Sequence, residues 1–145
     1  MFGALLALLA GCGTIHLGGS GGKDQPEQST ESVDHEILYD VQVFSPGFTL
    51  QVSYTDENGG GGSEQPLGQT WTKTFTARYP DIPELYLTAF AVPNPSSDPT
   101  AVLSQPSVLC ILWVDGNIAD QSQSASAECH AKLTDTVVPP TSSSR

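Results

Sequence analysis

The chain has 145 residues, room for one domain of ordinary size with tails. Its 5 Lys and Arg face 16 Asp and Glu, a formal net charge of -11. No surface of that composition gains counterion-release affinity for a polyanion, so nucleic acid is excluded as a partner. Charged residues make up 14% of the chain, and the richness in Thr, Ser, Gly, Val and Leu suits short strands joined by turns.

Residues 1–11, Met-Phe-Gly-Ala-Leu-Leu-Ala-Leu-Leu-Ala-Gly, form an uncharged apolar run. It is much shorter than the roughly 20 residues a spanning helix needs, and it ends in Leu9-Ala10-Gly11-Cys12. An apolar residue, two small ones and a cysteine resemble the lipobox of bacterial lipoproteins. Small residues let the chain lie extended in a peptidase cleft, and the thiol is the atom a lipid donor alkylates. The expectation is a lipoprotein signal peptide over 1–11 and a lipid anchor on Cys12, holding the protein at the extracytoplasmic face of the cell membrane. No Lys or Arg precedes the apolar run, a departure from the usual positive start of a signal peptide. A start codon upstream of Met1, or the amino terminus alone, would supply that charge.

Residues 12–36 carry Gly18-Gly19-Ser20-Gly21-Gly22, then Lys23-Asp24-Gln25-Pro26-Glu27 and further acids. The segment reads as a flexible tether, with His16 and His35 in it. The folded domain is expected over 37–134. Phe48, Leu50, Val52 and Tyr54 alternate with Thr49, Gln51, Ser53 and Thr55, one face for a core and one for water. Asp56-Glu57-Asn58-Gly59-Gly60 then supplies a turn. Further strands are expected at 37–44, 70–77, 85–92, 108–114 and 118–121, with Asp115-Gly116-Asn117 as a tight turn and 93–106 as a long loop. The 108–114 run is apolar on both faces and belongs in the middle of a sheet. Ala125, Ala127, Cys129, Ala131 and Leu133 alternate strictly with polar neighbours, which turns Cys129 inward. Residues 135–145, with two prolines and a Ser tract, read as a disordered tail.

About seven short strands make the expected fold all-β, an immunoglobulin-like antiparallel β-sandwich. In an exported domain Cys110 and Cys129 are expected to form one disulfide, the alternative being two unpaired buried thiols. Closing a loop of about 20 residues contributes about 3 kcal/mol on the chain-entropy account. A symmetric hairpin about Asp115-Gly116 sets Cys110 near Gln121, so the bridge should join strands that are not hairpin neighbours.

No catalytic constellation emerges. His16, His35 and His130 show no metal-ligand spacing, so no metal and no cofactor is called for. Asp56-Glu57-Asn58 lacks the distal Glu of a calcium loop and reads as a solvated turn. There is no Gly-x-Ser-x-Gly elbow, phosphate-cradling loop or Cys-x-x-Cys motif. The chain is read as a non-enzyme.

Ordered pieces then stand out: Tyr39-Asp40-Val41, Ser45-Pro46-Gly47, the run from Val52 to Gly59, Trp71-Thr72-Lys73, and Cys110-Ile111-Leu112-Trp113-Val114-Asp115-Gly116 with the later Cys129. They resemble the MmpS family of small mycobacterial membrane proteins, here in lipoprotein form, over about two thirds of the chain. Family members usually have a membrane-spanning helix where this chain has its lipobox, and commonly an Arg at the place of Ile111. The resemblance implies an extracytoplasmic sandwich in an actinobacterial envelope, serving as accessory subunit to an MmpL transporter of the RND type that exports lipids or siderophores. Tyr79, Tyr86 and Phe90 are the candidate contact aromatics, although core packing would absorb some of them. The competing expectation is a freestanding envelope lipoprotein that binds an apolar ligand or has a structural role.

Overall fold

A computed structural model describes residues 31–94, 96–103 and 105–141. Cys12, the segment 1–11 and all of the expected tether up to residue 30 lie outside the described residues. In chain order the strands are β1 (Val33–Val43), β2 (Phe48–Thr55), β3 (Gly61–Glu64), β4 (Thr70–Tyr79), β5 (Glu84–Pro93), β6 (Val108–Val114), β7 (Asn117–Ser124) and β8 (Ser126–Lys132). The only helical turn among the described residues is the 3₁₀ turn Ala101–Leu103. No described helix is long and apolar enough to cross a membrane.

The strands form two antiparallel four-stranded sheets, in the orders β4-β1-β6-β7 and β3-β2-β5-β8, and the fold is an all-β sandwich. Cys110 of β6 and Cys129 of β8 are joined by a disulfide. Because β6 and β8 belong to opposite sheets, the bridge crosses the core as in immunoglobulin domains. The strand order is the chain's own: β1 and β2 lie in different sheets, whereas the first two immunoglobulin strands share one.

Period-two patterning explains the core. Ile37, Tyr39 and Val41 of β1, Leu50 and Val52 of β2, Leu85 and Leu87 of β5, and Val108 and Leu112 of β6 are all buried between the sheets. Tyr39 brings its hydroxyl with it, which donates to the Thr55 carbonyl at 3.0 Å, and burial pushes that hydroxyl's pKa up. A polar clamp closes the edge where β3 and β4 meet. The two oxygens of Glu64 accept from Tyr54 Oη at 2.6 Å and Trp71 Nε1 at 2.8 Å, while Lys73 Nζ lies 4.9 Å above the Tyr54 ring.

Several boundaries differ from the sequence expectation. The first strand starts at Val33, so His35 and Glu36 belong to β1 and not to a tether. β3 is an additional strand, built of Gly-Gly-Ser-Glu. A register shift between Leu112 and Trp113 pairs Cys110 with Ser122, one residue beyond the symmetric expectation. The start of the expected tail is held in place: Asn117 Nδ2 donates to the Val138 carbonyl at 3.1 Å, and Asn117 Oδ1 accepts from the Thr141 amide at 2.9 Å.

Candidate functional site

The sandwich has two layers, so each sheet has one face in the core and one outside. β6 is apolar on both. Val108, Cys110 and Leu112 point inward and are fully buried, which sends Leu109, Ile111 and Trp113 to the outer face, where they are only half-buried. The expectation that β6 is central holds within its sheet, between β1 and β7. Among the described residues, however, its second apolar face has no layer over it.

Residues opposite one another in an antiparallel pair share a face, so the register shows what surrounds those side chains. Trp113 lies opposite Leu38 on one side and Ile118 on the other. The bulge makes the second contact, since unshifted pairing would set Ala119 there. Leu38, Trp113 and Ile118 thus form an apolar row across three strands, and Ile118 is 50% exposed. Ile111 and Leu109 continue it along β6. The rim is polar: Thr70, Thr72, Thr74 and Thr76 on β4, Gln121 and Gln123 on β7, and Glu36, Asp40 and Gln42 on β1. Asp34, on the same face, is held by Arg78 through contacts of 2.8 and 3.4 Å, and that guanidinium keeps its carboxyl below the usual range. The pair is exposed and adds little stability. Among the described residues no ion pair engages Glu36 or Asp40.

A second polar constellation sits at the end of the sandwich. His35, 2% exposed, directs Nδ1 to Asp115 Oδ2 at 2.7 Å and Nε2 to the Thr134 carbonyl at 2.8 Å. The carbonyl only accepts, so Nε2 carries a proton and has no lone pair for base catalysis. Asp115 Oδ1 accepts from the Glu36 amide at 2.9 Å. Both ring nitrogens and both carboxylate oxygens are therefore committed to tying β1, the β6–β7 turn and the chain after β8 together. This is a structural staple that the sequence reading missed.

The other sequence candidates are dispersed. Tyr79 packs against the core. Tyr86 and Phe90 stand on the outer face of β5, 53% and 36% exposed, and Tyr86 stacks on His130 with centroids 4.6 Å apart. The Asp56 carboxylate is used locally, accepting from the Asn58 and Gly60 amides. Among the described residues no three His, Cys, Asp or Glu side chains converge as a metal site would require. Phe44, Leu67 and Leu103 are exposed singly on three separate loops. Apolar side chains of β1, β6 and β7 instead share one outer face across three adjacent strands, and such a surface is suited to binding. Its sequence signal was Leu38, an apolar residue on the otherwise polar phase of β1, beside the doubly apolar β6.

No model of a known protein family matches the chain, and no curated protein matches it.

Proposed function

We propose that the chain is a non-catalytic binding module, lipid-anchored through Cys12 at the extracytoplasmic face of the cell membrane, which serves as an accessory subunit of an MmpL-like RND transporter exporting lipids or siderophores. The observation that carries the binding role is the apolar row Leu38–Trp113–Ile118 with Ile111 and Leu109, which no other described element covers. A domain that needed only solubility gains nothing from placing Trp and Ile on the water side of a sheet, whereas a docking face requires it. The transporter as partner, and the exported cargo, rest on the resemblance to MmpS proteins. The reading as a freestanding carrier of an apolar ligand has less support. The apolar-lined cavity beside His35, Val114, Leu133 and Val138 measures ≈ 260 Å³, below the range of about 300–1,000 Å³ usual for ligand pockets.

The test places a photoreactive amino acid at Ile111 in the full chain and irradiates intact membranes. The expected adduct contains an RND-type transporter identified by mass spectrometry, and it is lost when Cys12→Ser releases the protein from the membrane. Deletion of the gene is expected to lower export of one lipid or siderophore. Absence of a transporter adduct together with unchanged export overturns the proposal.

A further inference from the structure

We infer that the occupant of the outer face of β1, β6 and β7 is a cationic amphipathic helix of a partner protein, its apolar side on Ile111 and Trp113 and its Lys or Arg side over Glu36 and Asp40. The inference rests on the docking role proposed above and adds the chemistry of what docks.

Geometry supplies the first argument. Outward side chains of a strand recur every two residues, about 6.6 Å apart, so Leu109, Ile111 and Trp113 form a row spanning about 13 Å. Helical residues four apart are about 6 Å apart along the axis, so a helix lying along β6 brings successive apolar side chains into register with that row. β1 runs beside it at about 4.8 Å. On β1 the outward residues are Glu36, Leu38 and Asp40, so a carboxylate stands on each side of the one apolar side chain that joins the row.

Charge supplies the second. The described cations are already engaged: Lys73 with Glu64, Arg78 with Asp34 and Lys132 with Glu84. Glu36 and Asp40 have no such counterion among the described residues. Covering the apolar row removes water from beside two carboxylates, a loss that a basic flank on the partner offsets. A second copy of this chain would bring the same carboxylates and another net charge of -11 to the interface. An anionic lipid surface is repelled for the same reason.

The test uses the full chain and labelled helical peptides of about 18 residues, with Leu on one side and either Lys or Glu on the other, read by fluorescence anisotropy. The Lys peptide is expected to bind at least about tenfold more tightly than the Glu peptide at low salt, with the preference shrinking as salt shortens the screening length. Glu36→Gln with Asp40→Asn should weaken the Lys peptide about five- to tenfold. The control Glu57→Gln with Glu128→Gln, which removes the same charge elsewhere, should leave binding unchanged. Ile111→Thr with Trp113→Thr, verified as folded by circular dichroism and a cooperative melt, should abolish it. Equal binding of the two peptides, or equal loss from the two charge-removing pairs, overturns the inference. The docking role is separable: if Ile111→Thr with Trp113→Thr removes transporter crosslinking from a photoreactive Gln121 position while the Glu36 and Asp40 changes do not, the face stands and the cationic helix falls. If neither pair affects that crosslinking, the docking face itself is refuted.

Discussion

Replacing His35 by Ala removes an imidazole that is 2% exposed, and its two partners stay behind. Asp115, whose side chain is 8% exposed, loses the 2.7 Å contact to Nδ1, and the Thr134 carbonyl loses its donor at 2.8 Å. A hydrogen bond to a charged group contributes about 1.5–3 kcal/mol, and leaving a buried carbonyl unpaired costs about 1–3 kcal/mol. These do not add, since Asp115 keeps the Glu36 amide at 2.9 Å and the adjoining cavity of ≈ 260 Å³ admits water to both orphaned groups. The expected loss is therefore about 3 kcal/mol, a large share of the roughly 5–15 kcal/mol that holds a domain. Urea unfolding followed by tryptophan fluorescence reads it as a lower midpoint at constant slope. His35→Ala and Asp115→Ala should couple by at least about 1.5 kcal/mol in a double-mutant cycle. Asp115 has φ 51, and the strain of Ala at that angle enters both Asp115→Ala variants, so it cancels from the coupling. A loss in His35→Ala below about 1 kcal/mol, or additive single effects, would refute the staple.

The disulfide closes a loop of 19 residues' separation, so Cys110→Ala with Cys129→Ala should cost about 3 kcal/mol and lower the melting temperature by at least about 10 °C. Calorimetry under matched conditions decides it, and a shift of only a degree or two would mean the bridge constrains little. Hydrogen bonds from Tyr54 and Trp71 hold the Glu64 carboxyl below its ordinary 4.5. A depressed folded pKa gives a contribution that is complete above 4.5 and is lost as pH falls through the folded value. With the side chain 44% exposed that contribution is modest. The stability gap between the native chain and Glu64→Gln should accordingly narrow as urea midpoints are taken to acid pH. A gap independent of pH counts against the clamp.

What the sequence made legible was whatever depends on period and on compartment. Phe48, Leu50, Val52 and Tyr54 announce their inward face, Cys129 falls on the inward phase of its strand, and the cysteine spacing implies a bridge between strands that are not hairpin neighbours, although only the structure places them in opposite sheets. What stayed hidden depends on partners remote in the chain. β3 contains no apolar residue. It is a strand because β2 supplies its ladder and Glu64 its clamp, and Gly62 is needed where a Cβ would lie 2.5 Å from the Tyr54 ring. His35 looked like a tether residue because Asp115 and Thr134 lie 80 and 99 positions away. The candidate site was half legible: the apolarity of β6 was plain, but period alone could not tell whether its second face meets another layer or is open.

Placement along the fold leads the chain that precedes Val33 directly into that face. β1 is flanked by β4 and β6, and its first residue, Val33, pairs with Tyr79 at the end of the sandwich where the His35 staple also lies. A pull transmitted through the chain before Val33 is therefore borne first by the β4 ladder and the staple, and from Ile37 onward by ladders on both sides of β1. The same strand carries Glu36, Leu38 and Asp40 of the docking face. Its 11 residues extend about 36 Å, so the face runs lengthwise from the end at which the chain enters the sheet. If Cys12 holds that end near a membrane, a partner helix rising from the bilayer meets the face side-on, along its length. Recognition then depends on residues within β1 and not on the length of the chain before it, so in the peptide anisotropy assay a flexible insertion just before Val33 should cost far less binding than a single charge reversal at Asp40.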